Sequence, residues 1–220
     1  MLHKTRGVVF KYFKYRDTSI IVKVFTEAFG LQTYIVNGVR SKSSRSRIAL
    51  YQPITLLDMV VYKKNAAEIN RISEVKCNHP FLTISTDIKK TYIAIFLAEV
   101  LYKCVKEEEE DVSDLFNFIF HSIEILDHLE SGYENFHLQF LLKLSHYLGF
   151  GVESPEDHFL TIDNEELKIL THLVNNSYEE HIKMSNNLRR NLLDHIVRFY
   201  KVHIESLKEI NSLNILKEVI

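Results

Sequence analysis

With only two cysteines, Cys77 and Cys104, and no charged-then-apolar leader, the chain offers no disulfide framework. It is expected to fold on a hydrophobic core in a reducing cytoplasm. No apolar run reaches the roughly 18 residues of a membrane span, and the longest candidates are broken by Lys, Glu or His, so no membrane partner is expected. The glycine-rich loop ending in Gly-Lys-Ser/Thr that cradles a nucleotide triphosphate is missing, as are His-Glu-x-x-His and Gly-x-Ser-x-Gly. Eleven histidines raise the question of a metal. Yet His121 with His128, and His195 with His203, stand about two helical turns apart, whereas a shared ion wants one turn. Each cysteine could be a nucleophile, but nothing local marks either as activated, and both read as small apolar residues. The expectation is a protein that is not an enzyme and holds no cofactor and no metal.

What is present is charge, unevenly placed. The formal net charge of -2 conceals two opposite halves. Residues 1–76 carry 14 Lys+Arg against 5 Asp+Glu, a balance of +9, and residues 77–220 carry 13 against 24, a balance of -11. Such asymmetry predicts that the first segment meets a polyanion while the second serves another purpose. At 46% hydrophobic residues, the chain can bury a core in one or two compact domains.

The first 76 residues read as five short strands. Gly7–Lys14, Ser19–Thr26 and Leu31–Val36 are rich in β-branched and aromatic residues, and so are Ile54–Tyr62 and Ile69–Lys76. Glu27 to Gly30 is short enough for a hairpin loop, with Gly30 free to take a positive φ. Five such strands predict a small closed barrel. From about Pro80 apolar residues recur at helical spacing. A first helix starts at Thr86–Asp87 with Thr86 as cap and ends near Glu107, before the acidic run Glu107–Asp111. Ser113 caps a second, a third runs from Tyr133 to Leu148 with Gly149 as its stop, and others cover Glu165–Asn175 and Asn186–Leu207. Asn211–Ile220 is a short terminal helix or a frayed tail. The predicted class is α+β, an N-terminal five-stranded barrel of the oligonucleotide-binding type over 1–79 and an all-α helical domain over 80–220.

The most informative segment is Gly38–Arg47, where Arg40, Lys42, Arg45 and Arg47 stand among serines with no acid nearby. Cationic side chains neutralise phosphates and release counterions, while hydroxyls and loop amides donate to phosphate oxygens without reading sequence. Tyr12, Phe13, Tyr15, Tyr34 and Tyr62 are available as stacking platforms, about half of them being needed for the core. Strand alternation predicts Phe10, Tyr12 and Lys14 on one face and Lys11, Phe13 and Tyr15 on the other. In the helical half, Arg189, Arg190, Arg198 and Lys201 share a predicted helix with Leu193, Ile196, Val197 and Tyr200. That mixture suits an acidic, apolar-tipped peptide, or simply a packed helix with a solvated basic face.

Several stretches together resemble the RecO recombination-mediator family. They are Thr5–Val9, Tyr15–Val22, Phe25–Thr26, Gly30, Gly38–Lys42 and Gln52–Pro53, followed in the helical half by Ile95–Tyr102, Asn135–Leu138 and Leu148–Phe150. The resemblance implies a protein of DNA repair and recombination that binds single- and double-stranded DNA, anneals complementary strands and helps load RecA onto DNA coated by single-strand-binding protein, without nucleotide hydrolysis. It implies RecR and the acidic C-terminal tail of single-strand-binding protein as partners, RecA indirectly, and a place in the cytoplasm at the nucleoid. Because they fall in the matching segments, the resemblance gives the DNA contacts to Arg40, Lys42, Arg45 and Arg47, supported by Lys11, Lys14, Arg16 and Lys23. In one respect the chain departs from the family. Many relatives carry a four-cysteine zinc module after the helix that ends here at Leu148–Phe150, whereas only Gly151–Thr161, without cysteine, joins the helices here. Zinc is therefore not inferred. Two other readings of the residues stay open: an RNA-binding barrel, which the same loop and aromatics would serve, and a protein–protein adapter that never touches nucleic acid.

Overall fold

The computed structural model describes residues 1–62, 69–107 and 112–220, apart from the side chains of 42–46. Five strands, β1 (Leu2–Tyr15), β2 (Ser19–Thr26), β3 (Gly30–Val36), β4 (Leu56–Tyr62) and β5 (Asn70–Cys77), close into a barrel in the order β1-β2-β3-β5-β4. All neighbours are antiparallel except β3 and β5, which close the barrel in parallel through Tyr34↔Asn70 and Ile35↔Arg71. The expected oligonucleotide-binding type of barrel is the one observed.

Period-two alternation builds the interior. Ile20, Val22 and Val24 of β2 and Leu57, Met59 and Val61 of β4 point inward and pack with Val9 and Tyr34. Gly7 is required by this packing, since a Cβ there would lie 2.7 Å from Val24 Cγ1 and 2.8 Å from Met59 Sδ. The β2–β3 hairpin closes as its residues predict. Gly30 has φ 65°, and the Thr26 hydroxyl donates to the Gly30 carbonyl at 2.9 Å.

β1 departs from simple alternation. Its register with β2 passes from Val9↔Val24 to Lys11↔Lys23, so Phe10 is an extra, bulged residue. The bulge reverses the phase of the strand: Val9 belongs to the interior and Tyr12, three residues on, also packs against it, whereas Phe10 stacks on Phe25 at 5.6 Å. The expected grouping of Phe10 with Tyr12 is thereby corrected. Two backbone bonds hold the bulge, Val9 N–H to the Thr55 carbonyl at 3.0 Å and Ile54 N–H to the Val9 carbonyl at 2.7 Å. Ile54 makes its bond from φ 70°, a strained conformation for a β-branched residue. Between β3 and β4, the stretch that reads as loop contains a 3-10 helix over Lys42–Tyr51.

The remaining elements are helices α1 (Ile88–Cys104), α2 (Ser113–His128), α3 (Phe136–Tyr147), α4 (Pro155–His158), α5 (Asn164–Asn175), α6 (Asn186–His203) and α7 (Ser212–Val219). The class is thus α+β, barrel first and helices after. The cap of α1 is Asp87 rather than Thr86. The Asp87 carboxylate accepts from Lys89 N–H at 2.8 Å and Lys90 N–H at 3.1 Å, while the Thr86 hydroxyl turns back to the Leu82 and Thr83 carbonyls. α5 opens with a full capping box between Asp163 and Glu166. The C-terminus is packed, not frayed, with Leu216 and Ile220 buried. Among the described residues no helix is long and apolar enough to cross a membrane.

The chain forms two compact units, Met1–Phe81 with Leu97–His121, and Leu82–Phe96 with Ser122–Ile220. In the first, Arg6 forks onto Glu27 at 2.8 and 2.9 Å, donates to Asn117 Oδ1 at 3.1 Å and lies over the rings of Phe116 and Phe120. That guanidinium holds the Glu27 carboxyl below the usual carboxylate range. In the second, the Tyr200 hydroxyl donates to the Leu141 carbonyl at 2.6 Å, tying α6 to α3.

Candidate nucleic-acid interface

The predicted cations separate into groups with different surroundings. The first group gathers at the β1–β2 turn. The Arg40 amide donates to the Thr18 carbonyl at 3.0 Å and its guanidinium donates to the Arg16 carbonyl at 3.1 Å. These bonds fasten the start of the basic segment to the turn. Arg16 has φ 50°, and its guanidinium lies 5.2 Å from the centre of the Tyr15 ring. Lys14 is exposed two residues earlier, and Asp17 is the one acid of the turn. The Ser41 hydroxyl, which could have served a phosphate, donates to the Gly38 carbonyl at 2.9 Å. The backbone of Lys42 and Arg45 belongs to the 3-10 helix, but their side chains lie outside the described residues. Arg47 is exposed and lines a cleft at the β3–β5 seam.

Lys11 and Lys23 form a second group, directly opposite each other on β1 and β2. Lys11 Nζ lies 5.2 Å from the Phe13 ring centre and 5.1 Å from that of Tyr102 on α1. Lys23 is ion-paired with Glu107. Both ammonium groups thus already meet aromatic or acidic groups of the 97–121 segment, which belongs to the same compact unit.

The aromatics divide as well. Tyr34 is 1% exposed, Tyr12 packs on the barrel core, and Phe13 meets Tyr102 edge-on at 6.2 Å. Tyr62, 44% exposed at the end of β4, is the most open of the five tyrosines and phenylalanines considered above. Its partner across to β5 is Arg71, which also pairs with Ile35 and lines the same cleft as Arg47. Arg71, with Ser73 two positions on, is missed by a search for cation clusters, because β5 carries its charges singly. Its signal is positional, an exposed Arg at the strand that closes the barrel. Burial pushes the Tyr51 hydroxyl at the edge of this cleft up to about 12, against the pull of the Arg47 charge.

On α6 the four predicted basic residues do not share one surface. Arg189 is 7% exposed, and its guanidinium donates to Asn135 Oδ1 at 2.8 Å and Asn186 Oδ1 at 2.7 Å. Arg190 is half-buried and donates to the Ile220 carbonyl at 3.3 Å. Arg198 and Lys201, one turn apart, are exposed. Of the thiols, Cys104 is pushed up to about 12 by burial and Cys77 is also raised by burial, so both stay protonated near neutrality.

The sequence matches the family model described as Recombination protein O N terminal over residues 1–81, and that described as Recombination protein O C terminal over residues 85–159. It is similar to proteins named DNA repair protein RecO. The one from Azobacteroides pseudotrichonymphae is 31% identical over 242 residues, covering 100% of this chain and 99% of the relative. That from Bacteroides fragilis is 34% identical over 241 residues, again 100% and 99%. That from Flavobacterium johnsoniae is 31% identical over 234 residues, covering 98% of each. Two consecutive family models over most of the chain, and relatives matched from end to end above 30% identity, agree with the barrel-then-helices order: the chain belongs to the RecO family.

Proposed function

We propose that this chain serves recombinational DNA repair by binding single- and double-stranded DNA through its barrel, annealing complementary strands and helping load RecA onto DNA coated by single-strand-binding protein. The observation that carries this reading is the junction of Arg16 and Arg40, where the segment of four closely spaced cations is fastened to the first turn of a barrel with a charge balance of +9. Annealing requires two polyanions to approach. Cations on the phosphates lower their repulsion, and base edges left uncontacted remain free to pair. No nucleotide hydrolysis enters this scheme. DNA contacts are assigned to Arg40, Lys42, Arg45 and Arg47 with Lys14 and Arg16, and in a lesser role to Lys11 and Lys23, whose charges already have partners.

RecR and the acidic tail of single-strand-binding protein complete the proposal, with the tail on the exposed side of α6 at Arg198 and Lys201. Arg190, two turns earlier, is engaged with the Ile220 carbonyl, and Arg189 supports the helix from within. The acidic helical half restricts DNA to the barrel by repulsion. A strand-annealing assay, run with and without single-strand-binding protein, across salt and with Arg40, Lys42, Arg45 and Arg47 all changed to Ala, tests the proposal. The variant is expected to lose most of its annealing and DNA affinity. An unimpaired variant would favour the adapter reading, and a preference for RNA in competition would favour the RNA-binding one.

A further inference from the structure

Two clefts on the barrel differ in charge. The larger, about 560 Å³, is bounded by Lys4, Arg6 and Lys76 but also by Glu27, Asp58 and Glu74. Its charges satisfy one another, Arg6 on Glu27 and Lys76 on Asp58 at 3.2 Å. The smaller, about 290 Å³, is lined by Arg47 and Arg71 and, among the described residues, by no carboxylate.

The smaller cleft follows from how the barrel closes. Only Tyr34↔Asn70 and Ile35↔Arg71 join β3 to β5. Beyond them β3 ends at Val36 while β5 runs on, and Leu50 and Tyr51 of the 3-10 helix bound the gap. On β5 the register with β4 passes from Ile72↔Val61 to Glu74↔Val60, so Ser73 is a bulged residue, and it faces the cleft exposed to solvent. The lining is mixed: Val36, Val39, Leu50 and Ile72 supply its apolar part, and Asn37, Tyr51 and Ser73 stand with the two arginines in its polar part.

The geometry points to this cleft as the seat of one unpaired nucleotide of single-stranded DNA, its base against Val36, Leu50 and Ile72 and its phosphate between Arg47 and Arg71. This assignment rests on the DNA-binding reading above. An unstacked base presents two apolar faces that water solvates poorly, and a guanidinium pair meets a phosphate with several charge-assisted bonds. The Ser73 hydroxyl stands where it can donate to, or accept from, a base edge or sugar. The volume is at the bottom of the range of small-molecule sites, about 300 Å³, which suits one monomer and not a stretch of chain. A base held in a duplex is stacked and paired and does not enter. The cleft therefore favours single strands at one anchored position while the flanking bases remain free to pair.

The test measures binding of the full chain by fluorescence anisotropy at low salt. The probes are an oligothymidylate, a wholly abasic strand of equal length, and a duplex. The wild type is expected to prefer oligothymidylate over the abasic strand about tenfold, the scale of one buried base. Ser73→Trp fills the cleft and should bring that ratio to about one, with duplex affinity within twofold of wild type. Arg71→Ala reads the same site without filling it, and should weaken oligothymidylate binding about fivefold while leaving the duplex within twofold. Wild-type preference kept by Ser73→Trp, or equal losses on both probes in Arg71→Ala, would overturn the cleft assignment alone. If the wild type bound no probe, the DNA-binding reading would fall and the cleft with it.

Discussion

Lys23 on β2 is ion-paired with Glu107, the first of five consecutive acids that follow α1. The pair links the most basic part of the chain to its most acidic run, and it occupies a cation that sequence alone assigns to DNA. Lys23→Ala is therefore expected to lower oligonucleotide affinity by less than twofold. Arg16→Ala or Arg40→Ala should each lower it about three- to fivefold at low salt, as loss of one phosphate contact does. Glu107→Gln should raise affinity about twofold by releasing the ammonium. Anisotropy titrations of the four variants decide the matter, and a Lys23 effect as large as that of Arg40 would mean that the ion pair opens on binding.

If the basic segment and its neighbours neutralise about six phosphates, log affinity for single strands should fall with log salt at a slope near -4, from roughly 0.7 per contact. Changing Arg40, Lys42, Arg45 and Arg47 together to Ala should reduce that slope by about 3. The slope is a stricter measurement than affinity alone, because it counts contacts. A variant that bound more weakly with an unchanged slope would have lost something other than phosphate contacts.

The barrel was legible because its strands are short, β-branched and alternating, and because Gly30 sits where the hairpin needs a positive φ. Its bulge was not. Phe10 lies in an apolar run with neither Gly nor Pro to mark it, and only the partner strands determine which residue is extra. The 3-10 stretch Lys42–Tyr51 reads as loop because serine is indifferent to helix, and its apolar end, Leu50 and Tyr51, is fixed by packing on the barrel. The cations were easy to find and hard to sort. Glu107 lies 84 positions from Lys23, and Asn135 lies 54 from Arg189, so no local pattern distinguishes a paired cation from an exposed one. Arg71 escaped for the opposite reason, standing alone in sequence and joining Arg47 only across the seam.

Asp127 is fully buried at the end of α2, where its carboxylate accepts the backbone N–H groups of Leu82, Thr83 and Ile84, each at 2.9 Å. Beside it the buried Lys90 ammonium donates to the Thr83 hydroxyl at 2.6 Å and to the Asp127 and Leu129 carbonyls at 3.2 and 2.5 Å. Asp127→Ala strands three amides and removes the strongest of the carboxylates acting on a buried cation, leaving it Asp87 and Glu130, and should cost about 3–5 kcal/mol. Lys90→Met leaves only carbonyl and hydroxyl oxygens short of a donor and should cost about 1–3 kcal/mol. Urea unfolding followed by circular dichroism measures both. A loss below about 1 kcal/mol in Asp127→Ala would show that the 82–84 segment finds other acceptors.

His137 on α3 is fully buried, edge-on to Phe96 at 6.3 Å, and among the described residues no hydrogen bond of good geometry reaches either ring nitrogen. Burial, reinforced by the charge of Arg189, pushes its pKa down to about 3, and the Glu134 backbone offsets only part of that. In the unfolded chain the same imidazole takes up a proton near about 6.5. Between those values the unfolded state holds one proton more, so the contribution to stability is complete above the unfolded pKa and is lost as pH falls toward the folded one. The loss is about 1.4 kcal/mol per pH unit while the difference is a whole proton. His137→Leu removes the site from both states. From pH 6.5 to 4.5 the wild type should therefore lose about 2 kcal/mol more than the variant. At pH 7.5 the two should be nearly equal, because an apolar residue replaces a polar ring that gains little from its surroundings. Parallel urea titrations across this range provide the comparison, and identical pH slopes would mean that the folded state protonates His137 as readily as water does.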